Sequence, residues 1–225
     1  MKVSVYGDSF ACANPLADQD CSWPTLLGNS VKLTNYAVTG SSLYHQFTEF
    51  LHSHATSDRV IFLVTTWGRM WLPQHHHRHI ANRHTAEALI KNSTAQVKSQ
   101  LGHVIDYFTH LQVDHQEQTF HNLMVAEIQR LRPDALLIPC FDTSIRGREN
   151  SCTMMDLQAI DLVYYGLTFD QNMTGQELRH CHLNDENNVI LSDKLAEWLA
   201  SGRFNLSATD FVIPKAPCSQ YFRLT

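Results

Sequence analysis

The run Val60-Ile-Phe-Leu-Val64, held between Arg59 and Thr65, constrains this chain more than any other segment. It is apolar at every position and too short for a typical buried helix, so Arg59 to Thr65 reads as a strand covered on both faces. Such a strand requires helices above and below the sheet. Val3 to Tyr6 is a second short run, stopped by Gly7, and Val31 to Ala37 and Ala135 to Cys140 are two more. Trp23-Pro24-Thr25-Leu26-Leu27 reads as a helix opening with proline in its first turn. From about Thr85 to Leu131 the pattern is mostly helical, with Val104, Phe108, Leu111 and His115 on one stripe and Phe120, Leu123, Met124 and Ile128 on another. Arg132-Pro133-Asp134 ends it. A final amphipathic helix is expected over Asn187 to Leu199, with Ile190, Leu191, Leu195 and Trp198 on its inner face. Residues 68–85 show no strong periodicity and read as loop with some helix, and a short strand is expected near Leu162 to Tyr165. Strands alternating with helices predict an α/β fold with a mainly parallel sheet covered on both sides. In open sheets of this kind, ligands bind outside the carboxyl ends of the strands. The loops after Tyr6, Ala37, Thr65 and Cys140 should therefore converge.

The 225 residues suit one domain, with a core over about 1–200 and a polar tail with scattered aromatics beyond it, 201–225. A formal net charge of −5 gives nucleic acid no electrostatic reason to be a partner. No apolar run approaches the roughly 20 residues that span a bilayer. The Gly7-Asp8-Ser9 turn lies too close to the start for a cleavable signal peptide, and the six cysteines form no CxxC pair. These features predict a soluble, cytoplasmic protein with reduced thiols, no cofactor and no membrane partner.

Two segments carry chemistry. Gly7-Asp8-Ser9 directly follows the first strand, where a serine can expose its hydroxyl at the crevice with its own N–H open to an oxyanion. Asp8 belongs in the turn, accepting backbone hydrogen bonds, and is also a candidate for substrate contact. His180-Cys181-His182-Leu183-Asn184 stands immediately before the last helix, where an imidazole can reach back to Ser9; Asn184 could equally serve there as a helix cap.

Taken together these segments resemble the SGNH/GDSL hydrolases. Gly7-Asp8-Ser9-Phe10-Ala11 is similar to the first block of that family. Ser22-Trp23-Pro24 followed by Asn35-Tyr36-Ala37-Val38-Thr39-Gly40-Ser41-Ser42 resembles the stretch through the second, and His182-Leu183-Asn184-Asp185-Glu186-Asn187-Asn188 resembles the last. The resemblance runs from about residue 2 to about residue 200. It implies a flavodoxin-like three-layer α/β/α sandwich and a serine esterase with an acyl-Ser9 intermediate. His182 would be the base, and Ser9, Gly40 and Thr66 would form the oxyanion hole. The expected substrate is an O-acetylated carbohydrate or a short acyl ester.

Two positions depart from the family. Val64-Thr65-Thr66-Trp67-Gly68-Arg69 holds no asparagine where the third block supplies one, which leaves Thr66 as donor. Arg179 stands where the triad acid would precede His182, so Glu177, Asp170 or no side chain at all completes the triad. Both departures favour an alternative, a non-catalytic binding module for a carbohydrate or other small polar ligand. Trp67 and Arg69 are further candidates for substrate contact, the latter toward an anionic group. His75 and His77, in the run His75-His76-His77-Arg78-His79, could meet substrate as part of a loop over the crevice. A metal-dependent hydrolase built on those histidines is a second alternative, but no HExxH or paired Asp/His pattern occurs, and no dedicated metal site is expected.

Overall fold

The structure is a computed structural model that describes residues 1–13, 20–72, 78–80, 83–91, 94–141, 154, 183 and 185–212. Its centre is a four-stranded parallel sheet of β1 (Lys2–Tyr6), β2 (Lys32–Asn35), β3 (Arg59–Val64) and β6 (Leu136–Pro139), in the order β2-β1-β3-β6. Val3 of β1 lies opposite Leu33 of β2, Val5 opposite Ile61 of β3, and Phe62 opposite Leu137 of β6.

Strand pleating divides the core in two. Val3, Val5, Ile61, Leu63 and Ile138 point to one face, where α1 (Trp23–Gly28) and α6 (Asp185–Ser201) cover them with Trp23, Leu27, Leu191 and Leu195. Tyr6, Val60, Phe62, Val64 and Leu137 point to the other, against Leu43 and Phe50 of α2 (Leu43–Ser53) and Val125 and Ile128 of α5 (Asp114–Leu131). The fold is an α/β three-layer arrangement, as the unbroken apolar runs require. Trp23 and Trp198 are both core residues.

The region between β3 and β6 departs from the sequence reading. Residues 68–85, expected as loop with some helix, contain an antiparallel ladder of β4 (Met70–Leu72) and β5 (Arg78–Ile80), with Trp71 opposite His79, before a helix begins at Arg83. Two three-residue strands leave too short a pattern to be read from periodicity. The helical stretch then divides into α3 (Arg83–Lys91), α4 (Ala95–Asp106), a π-helical turn over Tyr107–Leu111, and α5. Gln112 and Val113 adopt extended backbone, so the stripe through Val104, Phe108, Leu111 and His115 crosses a break. Asp114 and Glu117 in the first turn of α5 favour a new helix start there.

Helix α5 is also rotated from expectation. It buries His121, Val125 and Ile128, whereas Phe120 and Leu123 are 62% and 61% exposed. A polar residue, His121, occupies the inner face because it has a backbone partner there. Helices α3 and α4 pack on each other around Ala86, Leu101 and Val104, a cluster separate from the two that line the sheet.

Beyond α6 the chain folds back. Asn187 exchanges two hydrogen bonds of 2.8 Å with the backbone of Val212, Lys194 pairs with Asp210 at 2.6 Å, and Phe211 is buried in the α1–α6 layer. The start of the tail thus packs on the body. No helix among the described residues is long and apolar enough to cross a membrane. The strand expected near Leu162 to Tyr165 lies outside the described residues.

Candidate active site

All four strands are parallel, so their carboxyl ends share one rim, and β1 and β3, the central pair, bracket it. In a sheet of this order, that pair flanks the topological switch point where crevices form. At the end of β1 the chain passes Gly7, where a Cβ would come within 2.9 Å of the Leu63 Cβ and 3.2 Å of the Ala11 Cβ. Only glycine lets the turn lie this close to β3. Asp8 then caps a one-turn 3₁₀ helix, Ser9–Ala11. Its Oδ1 accepts from the Phe10 N–H at 3.1 Å, and its carbonyl accepts from the Ala11 N–H at 3.0 Å. Ser9 opens that turn and is half-buried.

Asp8 is the hub on which the other loops close. Thr65 Oγ1 donates to Asp8 Oδ2 at 2.9 Å, and Arg69 Nη1 reaches the same oxygen at 2.8 Å. The Cys140 thiol, after β6, lies 3.8 Å from Oδ1. Burial pushes that thiol well above its ordinary range, the Asp8 charge pushes further, and Arg69 pulls back. Cys140 therefore stays protonated and acts as a donor to Asp8 rather than as a nucleophile. The Cys12 thiol donates to the Asp8 carbonyl at 3.4 Å.

The loop after β2 attaches one residue earlier. The Val38 N–H and Ser41 Oγ both donate to the Gly7 carbonyl, at 3.2 and 2.9 Å, and buried Gln46 of α2 supports Ser41 Oγ at 3.0 Å. Between them Gly40 has φ 72, a left-handed conformation that glycine adopts without strain. Arg69 Nη1 also lies 3.4 Å from the Ser41 carbonyl, and its guanidinium sits over the Phe141 ring, 5.3 Å from the centroid. The loops after all four strands thus meet around Gly7 and Asp8, as the topology argument expected.

Two further links fix the turn from the α1–α6 side. Trp23 Nε1 donates to the Phe10 carbonyl at 2.8 Å, and the Trp23 N–H donates to Asn188 Oδ1 at 2.9 Å. Asn188 Nδ2 in turn donates to the Leu183 carbonyl at 3.1 Å. Leu183 is buried in the same cluster as Phe10 and Trp23. One side-chain amide therefore ties Leu183, two residues before α6 begins, to the helix that holds the Ser9 turn.

Of the residues singled out in the sequence, Ser9, Gly40, Thr66, Trp67 and Arg69 all stand in the converging loops, and Thr66 and Trp67 are half-buried. Asp8, a candidate for substrate contact, is instead fully enclosed, its carboxylate taken by Thr65, Arg69 and the Phe10 amide. His75, His77, His182, Glu177 and Asp170 lie outside the described residues. Among the described residues no three His, Cys, Asp or Glu side chains form a metal-binding group. Sequence reasoning missed Gln46, Cys140, Asn188 and Tyr44. The ring of Tyr44, 60% exposed, lies 6.0 Å from that of Trp71, forming an aromatic edge that begins two residues beyond Arg69.

His121 supports the site from beneath: its Nε2 lies 2.9 Å from the Thr65 carbonyl, and its Nδ1 has no partner among the described residues. The Nε2–H tautomer is the one that donates to that carbonyl. Burial holds the imidazole below its usual 6.5, against the pull of the Thr65 carbonyl. The unfolded chain therefore binds a proton on this side chain below about pH 6.5 while the folded chain resists it. Stability is lost as pH falls from about 6.5 toward the depressed folded value, and the loss levels off below it. His121→Gln keeps a donor and removes the titration, so its denaturation midpoint should fall less steeply than the wild type's between about pH 7 and pH 5. Parallel curves would assign the acid sensitivity to other groups.

No family model and no curated sequence matches the chain. Among solved structures it is similar to an acetyl xylan esterase, at 12% identity over 89% of this chain and 100% of that one, with a TM-score of 0.35. It is also similar to a protein from Desulfitobacterium hafniense DCB-2 assigned to the lipolytic G-D-S-L family, at 14% identity over 70% of this chain and 86% of that one, with a TM-score of 0.28. Superpositions this loose decide neither fold nor activity, and the α/β three-layer fold rests on the order, direction and covering of the chain's own strands.

Proposed function

We propose that this chain hydrolyses a carboxylic ester by acylation of Ser9, with His182 as the base. The observation that carries the reading is the convergence of the loops on the Ser9 turn, which stands at the carboxyl end of β1 with Asp8 and Gly7 bonded on all sides. A serine there is presented by a rigid support, the condition nucleophilic catalysis requires. Leu183, the residue after His182, is buried in the same cluster as Phe10, which supports the choice of His182 as the partner of Ser9.

In this mechanism His182 takes the proton of Ser9 Oγ as the oxygen attacks the acyl carbon. The carbonyl electrons move onto oxygen, which the Ser9 and Gly40 N–H groups and the Thr66 hydroxyl receive. Collapse breaks the ester C–O bond, and His182 returns the proton to the departing alcohol. Water, deprotonated by His182, then attacks the acyl-Ser9; the acyl C–O bond to Ser9 breaks as His182 returns that proton to Ser9 Oγ, and the acid is released. Glu177 or Asp170 would orient the imidazole, or a backbone carbonyl would do so. O-acetylated carbohydrate is the first substrate class and a short acyl ester the second.

A fluorophosphonate probe at about pH 7–8, followed by mapping of the modified peptide, tests this reading. Label on Ser9 that disappears in His182→Ala is the expected result. The absence of an asparagine from Val64 to Arg69 favours the second reading, a binding module on the same scaffold. An unlabelled chain, under conditions that saturate a known esterase, would sustain that reading and end the first.

A further inference from the structure

Arg69 holds more hydrogen-bond donors than its neighbours use. Its Nη1 is spent on Asp8 Oδ2 and the Ser41 carbonyl, and one face of the guanidinium is covered by Phe141. The side chain is only 12% exposed, yet Nε and Nη2 make no hydrogen bond among the described residues. A nearly enclosed guanidinium with a bare Nε–Nη2 edge presents two parallel donors, the geometry that binds a carboxylate or phosphate oxyanion side-on. Asp8 fixes the orientation of that edge and leaves it unoccupied. The same turn contains a second donor in need of an acceptor, Trp67 Nε1, which is buried and has no partner among the described residues.

We propose that the Nε–Nη2 edge of Arg69 is a binding site for an anionic group, so that the ligand of this crevice is an ester carrying a carboxylate or phosphate-type oxyanion. The inference deepens the hydrolase reading by naming the substrate class, and its test is independent of turnover. Asp8 offsets much of the Arg69 charge, so the site attracts free ions weakly. Selectivity arises when the rest of the ligand delivers the oxyanion to the edge. Two charge-assisted hydrogen bonds in a mostly enclosed place correspond to roughly a 10- to 100-fold preference over a neutral analogue.

The experiment uses the full chain carrying Ser9→Ala, so that no ester is consumed, and titrates monoethyl succinate, diethyl succinate and the ethyl ester of 3-phosphonopropionate by calorimetry at about pH 7 and low salt. At least about tenfold tighter binding of either anion over the diester is expected, and the better anion identifies the oxyanion. In Ser9→Ala with Arg69→Lys, the ammonium still pairs with Asp8 but lacks the side-on edge, so the preference should vanish while thermal stability changes little. Equal binding of anion and diester, no measurable binding of either anion, or a preference that survives Arg69→Lys would each overturn the proposal. A wild-type chain that fails to label at Ser9, while the anion preference holds, would remove the hydrolase reading and leave this site standing.

Discussion

Asp8→Ala should lower the unfolding free energy by about 3–5 kcal/mol, the usual cost of removing one partner from a buried ion pair. The loss follows from what Asp8 holds. Its carboxylate is fully enclosed and satisfies the Phe10 N–H, the Thr65 hydroxyl and the Arg69 guanidinium together. Alanine leaves a mostly buried cation and two donors without acceptors. Asp8→Asn separates charge from shape. Its amide oxygen can still accept from two of these donors, so about half the loss should return. Denaturant midpoints of the three proteins decide the point. If Asn is as damaging as Ala, the charge opposite Arg69 is what matters; if Asn matches the wild type, the carboxylate serves only as an acceptor. Either variant should also slow fluorophosphonate labelling of Ser9, because the cap that orients the turn is altered.

Trp23→Ala is the second large effect expected, at about 3–5 kcal/mol for a fully buried tryptophan. The indole fills the space between β1, α6 and the Ser9 turn, and its Nε1 donates to the Phe10 carbonyl. Trp23→Phe retains most of the volume and loses the donor, removing a buried hydrogen bond worth about 0.5–1.5 kcal/mol. Comparing the two divides packing from hydrogen bonding. A Trp23→Phe protein as stable as wild type would mean that water or another donor reaches Phe10. The backbone N–H of Trp23, bonded to Asn188, is retained in both variants. Any change in Ser9 labelling therefore reports the turn and not the link to Leu183.

The α/β fold was legible because its evidence is local. The run Val60 to Val64 is apolar on both pleat faces, and that pattern has few solutions besides a doubly covered parallel sheet. The rim followed from topology, since parallel strands place every carboxyl end on one side. Ser9, Gly40, Thr66 and Arg69 were therefore found in the sequence as members of one place. Helix α5 shows the limit of periodicity. Phe120 and Leu123 fit a helical stripe as well as Val125 and Ile128 do, and which stripe faces the sheet is decided by what lies across from it. His121 sits inside because the Thr65 carbonyl is there to accept a hydrogen bond from its Nε2–H, a partner 56 residues away that no window along the chain contains.

The same reason explains Asp8. By itself the sequence determined that an aspartate precedes Ser9 in a turn, which is a statement about neighbours. Only the tertiary structure decided that its carboxylate is enclosed and joined to Thr65, Arg69 and Cys140, and that Asn188 connects Trp23 to Leu183. Apolar pattern and turn chemistry act over a few residues and leave their record in order and spacing. Hydrogen bonds between residues 57 to 165 positions apart depend on distance in space, which the chain fixes only once it has folded.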